Sequence, residues 1–315
     1  MRGEGRPPRL LCNRGRKMVF GWYIIAYLFA AGAGSGAFFV GFSTCLWDVA
    51  RQSPASERAA ASVQTAFYSA PALCLFAVLL LMLDLGNPNR ILPLVLNPFS
   101  SVIGVGAWLL ALFIVLSGAL AIASLGARPV PRPLFLLLGV PALLCAVGIM
   151  SYTGVLLSSL VSIDFWHTPW LVALFVASSL TAGTAVVVLG AVLQGTPTAL
   201  RNLSGPWKAF FVLTLIEAVL LVVFMAVQAT GPQSARDGVQ LLVAGGMAPT
   251  FWGAVVVAGF VAPWTVHLAK RLVGPSAALV ISSAGVLVGA FALRYCIVGA
   301  GLYSPLVLSS VAPGL

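Results

Sequence analysis

Of 315 residues, 60% are hydrophobic and 8% charged, and the mean hydropathy is +1.06; so little polar side chain cannot cover a water-facing surface, which excludes a soluble fold and makes lipid the solvent. The formal charge is +10, but the basic residues sit in the amino-terminal tail and in short connections, as membrane topology requires, so they do not read as a nucleic-acid surface. Five cysteines, Cys12, Cys45, Cys74, Cys145 and Cys296, form no CxxC pair; four fall in apolar stretches, where a thiol acts as a small hydrophobe, and no iron–sulfur, zinc or disulfide site is expected.

The expected fold class is an all-α integral membrane protein, an eight-helix bundle over 18–301, with a basic tail at 1–17 and a short tail at 302–315. Apolar windows of about 20 residues place spans at 20–46, 63–83, 100–125, 134–157, 168–193, 207–229, 248–269 and 276–300. Turn-forming runs join them: GNPNR, RPVPRP, GTP and VGP. Connections after the odd-numbered spans carry Arg51, Arg58, Arg128, Arg132, Arg201, Lys208, Lys270 and Arg271, whereas the opposite side holds only Arg90 and Arg236. Since basic loops stay cytoplasmic, both termini are expected outside. Arg2, Arg6, Arg9, Arg14, Arg16 and Lys17 oppose that orientation, and translation is expected to start at Met18, where MVFGWYIIAYLFAAG opens the first span.

Polar residues inside the spans are costly and need partners. Gly32 and Gly36 in the first span have the small-xxx-small spacing of close helix packing, or of an approach to a flat ligand. Asp84 ends the second span just before Arg90, either as the chain surfaces or as part of a site at that interface. Tyr152 lies one or two turns inside the outer boundary of the fourth span, as an interface anchor or as a donor to a ligand carbonyl. The next connection, SIDFWHTPW, brings Asp164, Trp166 and the titratable His167 to the mouth of the fifth span. Glu217 falls near the middle of the sixth; with His267 and Asp48 near the inner ends of the seventh and first, it outlines an inward proton route. Arg294 in the eighth span, expected in the outer half, needs a polar partner; Asp84 is the first candidate. Only two histidines exist, His167 outside and His267 inside, so no bis-histidine haem is expected.

Taken in order, GAGSG in the first span, DLGNP after the second, LNPFSSVIGVGAW entering the third, SYTGVLLS in the fourth, WHTPW with SSLTAG in the fifth and LRYCIVGAG in the eighth resemble the polysulfide reductase (NrfD-type) membrane-subunit family over nearly the whole sequence from Met18. The resemblance implies an inner-membrane subunit without haem or metal that exchanges electrons between menaquinone or ubiquinone and a four-cluster ferredoxin-like subunit, next to a molybdopterin catalytic subunit. It implies an outer-leaflet quinone site with Tyr152 as the hydrogen-bonding residue. Asp84, Asp164, His167 and Arg294 are expected on that side. The sequence departs from the pattern at Leu302, after the last glycine of the eighth span, and shows no Asn and His pair entering the first. A small-solute transporter and a purely structural anchor are the alternatives; no repeat between the two halves supports the former.

Overall fold

The computed structural model describes residues 21–50, 56–85, 102–125, 130–195, 204–269, 272 and 274–301. These residues are helical with short connections: α1 (Trp22–Ala50), α2 (Ser56–Leu85), α3 (Val102–Ala123), α4 (Arg132–Ser158), α5 (Pro169–Gln194), α6 (Ser204–Ala229), α7 (Gln233–Val243), α8 (Ala248–Leu268) and α9 (Pro275–Ala300). All but α7 are long and apolar enough to cross a membrane. A helix is the structure such segments adopt in lipid because it satisfies each backbone N–H and C=O within the segment.

Local chemistry sets the ends. α5 opens on Pro169 behind an extended Thr168, and closes on Gly195 at φ 64°, whose N–H reaches the Val192 carbonyl. α9 opens on Pro275 behind Gly274, whose φ of 89° is a conformation that a side chain disfavours. The middle of α8, Phe251–Val261, is π-helical, a wider winding that is rare at this length. α8 meets α9 where a Cβ on Gly259 would stand 3.0 Å from the Gly289 Cα.

α1 and α5 form the centre of the bundle, with 78% and 72% of their apolar windows enclosed, against 44% or less for the others. They cross backbone to backbone. A Cβ on Gly36 would strike the Ser179 carbonyl, and one on Gly183 would strike the Gly36 backbone. The small-xxx-small spacing in α1 is therefore used for packing. Beside this crossing, Phe38, Phe42, Phe67, Phe113 and Phe135 stack edge and face across α1 to α4.

The start of α1, the ends of α2, α4, α6 and α9, and the start of α5 meet at one end of the bundle. Trp22 stacks on Tyr295 at 5.2 Å, Gly21 lies beside Asp84, and Trp166 lies against Gly301. α7 also packs here, burying Ala235, Gly238 and Leu242 while exposing Arg236 and Asp237. Too short and too polar to register as a span, it falls between the sixth and seventh apolar windows. This is the Trp166 end; His267 marks the opposite one.

Candidate functional site

The SIDFWHTPW segment forms a braced cap at the Trp166 end. The Trp166 indole is fully buried and donates Nε1–H to the Ile297 carbonyl at 2.8 Å. Gln228 of α6 donates to the Phe165 carbonyl, and Ser234 of α7 to the Asp164 carboxylate. A Cβ on Gly238 would stand 2.7 Å from the Phe165 ring, so α7 lies flush on the cap. His167 is exposed, with Nδ1 2.9 Å from the Ser158 carbonyl at the end of α4. A carbonyl only accepts, so Nδ1 carries the proton and His167 satisfies one of the terminal acceptors of α4.

Tyr152 lies deeper, six residues before the end of α4, a depth of about 9 Å. Its ring occupies space that exists because residue 106 of α3 is glycine; a Cβ there would fall inside the phenol. Tyr27 of α1 is a neighbour of Tyr152. Both rings are buried, 7% and 3% exposed, and Cys74 of α2 neighbours Tyr27.

Arg294 is the largest departure from expectation. Its side chain is fully buried and turns toward the middle of the bundle. Nε donates to the Leu28 carbonyl at 3.2 Å, Nη1 to Ser178 Oγ at 3.1 Å and the Ala290 carbonyl at 2.9 Å, and Nη2 to Ser179 Oγ at 3.0 Å. Phe175 and Phe29 stand over the guanidinium at 5.4 and 5.8 Å. The carboxyl whose charge acts on it belongs to the buried Glu217 of α6.

Asp84 is not the partner of Arg294. Its carboxylate lies beside Gly21, whereas the guanidinium lies beside Gly32; eleven residues of helix separate them, roughly 16 Å. The expectation failed because Arg294 reaches inward to the serines instead of outward to the interface. Gly32 permits this: a Cβ there would stand 2.6 Å from Ser179 Oγ and 2.7 Å from Arg294 Nη2.

The structure thus separates the residues expected to form one cluster. His167 and Asp164 belong to the cap, Asp84 to the rim by α1, Tyr152 to the buried contact of α4 with Gly106 of α3, and Arg294 to the bundle centre. On the inward route, the His267 ring packs on Phe211 at 4.4 Å and Trp207 at 5.7 Å. Phe211 is six residues before Glu217 on α6, about 9 Å along the axis. Asp48 ends α1 where its side chain lies outside the described residues. Sequence reasoning missed Tyr27, Ser178, Ser179 and Thr181. Their signal was polar side chains deep in apolar spans, and SSLTAG in α5 displays three of them.

Eight apolar spans around a polar centre define a multi-pass integral membrane protein that holds ionisable groups in its core. From residue 11 to residue 305 the sequence matches the family described as Polysulphide reductase, NrfD, and the protein belongs to that family. It is similar to the C subunit of the polysulfide reductase of Wolinella succinogenes, 29% identical over 309 residues that cover 90% of this sequence and 94% of that protein.

Proposed function

We propose that this protein is the quinone-reactive membrane anchor of a multi-subunit oxidoreductase. It exchanges electrons between menaquinone or ubiquinone and a four-cluster ferredoxin-like iron–sulfur subunit, which serves a molybdopterin catalytic subunit. The observation that carries the reading is the Tyr152 phenol, buried in apolar surroundings below a braced cap and seated where residue 106 has no side chain, in a member of the NrfD family. A phenol hydroxyl in a dry site suits a ring oxygen that must be held through a change of protonation. The complex sits in the inner membrane with the Trp166 end outside, an orientation supported by the basic loops at the other end.

A quinol supplies two electrons and two protons when it is oxidised. Tyr152 holds one ring oxygen, and Gly106 sets the plane of its phenol. His167 spends Nδ1–H on Ser158 and keeps Nε2 as a base on the exposed surface, where a released proton leaves. Asp164, fixed by Ser234, and Asp84 at the rim make that exit anionic. Arg294 fixes α1 at Leu28, next to Tyr27, while Glu217, His267 and Asp48 form the inward proton route.

Quinol turnover of the intact complex tests this. Tyr152→Phe removes one hydroxyl and almost no volume, and losing a hydrogen bond of about 1 to 3 kcal/mol slows quinol oxidation roughly 5- to 150-fold. The partner subunits keep their activity with a soluble electron donor. Wild-type quinol turnover in an assembled Tyr152→Phe complex overturns the assignment.

A further inference from the structure

α8 and α9 touch at Gly259 and Gly289, midway along α8, and leave a gap between them toward the Trp166 end. The start of α8 is tied aside there, since Trp252 donates Nε1–H to the Val243 carbonyl at the end of α7, 3.0 Å away. The gap is a groove of about 580 Å³, floored by α9 from Leu287 to Tyr295, with Thr250 and Ala254 of α8 as one wall and Trp22 and Phe29 of α1 as the other. Both α1 rings are braced on Phe291, Trp22 stacked at 6.1 Å and Phe29 edge-on at 5.6 Å. The floor spans eight residues, about 12 Å. Val288 on it is 54% exposed and Trp22 56%, so the groove is open along its lipid-facing side.

The polar side-chain groups among the lining residues are those of Trp22, Thr250 and Tyr295, none of them charged and all near the Trp166 end; the deeper part is carbon. A polar solute would lose its hydration without replacement there. Water does not fill an apolar cavity, and an empty one forfeits the contacts of its lining. We propose that this groove holds one acyl chain of a phospholipid with an ammonium headgroup, phosphatidylethanolamine being the simplest, from the leaflet at the Trp166 end. The deep apolar part takes the chain, and the indole and phenol at the mouth stand at the depth where amphipathic rings meet headgroups. Charge selects the headgroup. Asp84 lies beside Gly21, the residue before Trp22, and Asp164 and Asp237 share this end of the bundle with Arg236 as its described basic residue. An anionic headgroup is repelled by that balance, and an ammonium is drawn to it. Gly106 and Tyr152 stand on α3 and α4, neither of which lines the groove, so the lipid site is independent of the quinone reading.

Native mass spectrometry of the detergent-purified complex tests this, with phosphatidylethanolamine and phosphatidylglycerol of identical acyl chains as probes. One phosphatidylethanolamine per copy is expected to stay bound, and phosphatidylglycerol to bind at least about 5-fold more weakly. Ala254→Phe fills the groove and displaces about two methylenes of buried chain, roughly a 10-fold loss of affinity. Val222→Phe on α6, at a lipid-facing position 68% exposed, is the control and is expected to change nothing. Undiminished retention in Ala254→Phe, an equal loss in Val222→Phe, or equal binding of the two lipids overturns the proposal. A retained molecule with the mass of a quinone, lost in Ala254→Phe, gives the groove to an isoprenoid tail and overturns it too. Should the Ala254→Phe complex not assemble, the wild-type complex decides, photolabelled with phosphatidylethanolamine that carries a diazirine on its acyl chain. Cross-links are expected at 250–254 of α8 and 287–295 of α9, and labelling that misses both segments overturns the site.

Discussion

Arg294 carries a charge into the centre of the bundle, and its surroundings show what makes that tolerable. Two serine hydroxyls and two backbone carbonyls take up the guanidinium, the Glu217 carboxyl acts on it through its charge, and two aromatic faces complete the enclosure. Arg294→Ala therefore leaves Glu217 in an apolar core without its cation. Breaking a comparable buried pair costs about 3 to 5 kcal/mol, so the yield of folded protein and its thermal midpoint in detergent are expected to fall sharply. Arg294→Lys recovers part of the loss, because an ammonium cannot reach four acceptors through one planar fork. The more selective test is the double variant. Adding Glu217→Gln to Arg294→Ala removes the uncompensated carboxyl and is expected to restore stability above the single variant, a coupling that two independent residues would not display. Simple additivity of the two losses means that the cation and carboxyl do not depend on each other.

The α1–α5 crossing turns residue chemistry into architecture. Its glycines bring two backbones into contact, and that contact sets where Ser178, Ser179 and Arg294 stand. Gly36→Ala forces the helices apart at the Ser179 carbonyl and is expected to cost about 1 to 3 kcal/mol, the usual range for overpacking, read as a lower thermal midpoint. Gly118→Ala in α3 is the control: a Cβ there meets nothing within 4 Å, and no loss is expected. Equal behaviour of the two variants argues against a tight crossing. The spans themselves were legible in the sequence to within a few residues because lipid demands a minimum length of apolar helix. Which faces meet was not. Lipid-facing and core-facing positions are both apolar, so hydropathy carries no record of rotation about the helix axis. That is why Arg294 was matched with Asp84, near it in expected depth, and not with Glu217, whose charge acts on it. Tyr152 and the small-residue spacing of α1 were legible because a polar group or a missing side chain stands out against an apolar background; Tyr27 stood out no less, but nothing in the sequence shows that it neighbours Tyr152. α7 escaped because its pattern, Ala235, Gly238 and Leu242 buried on one side, is that of a short surface helix and not of a span.

For the molecule as a whole, the distribution of charge has a direction. The Trp166 end gathers Asp84, Asp164, Asp237 and His167 but only Arg236 among the described basic residues, while the sequence puts the eight basic residues from Arg51 to Arg271 in or beside the connections that follow the odd-numbered spans. Moving Lys or Arg across a bilayer against the membrane potential is unfavourable, and short loops close to the spans weigh most in setting orientation. Tyr152 lies about 9 Å below the acidic end, so the orientation also decides from which side the proposed partner approaches it and into which compartment the proposed proton exit opens. A reporter enzyme that is active only outside the cytoplasm, fused after Gly301, is expected to be active, and a fluorescent protein that matures only in the cytoplasm is expected to stay dark there. Fusions in the connection between α5 and α6 are expected to give the opposite pair of results. Were the two sites to exchange behaviour, the Trp166 end would face the cytoplasm, and the six basic residues at 2–17 would outweigh the eight in the loops. The proposed proton exit at His167 would then empty inward, and an externally docked iron–sulfur subunit could not reach the Tyr152 side.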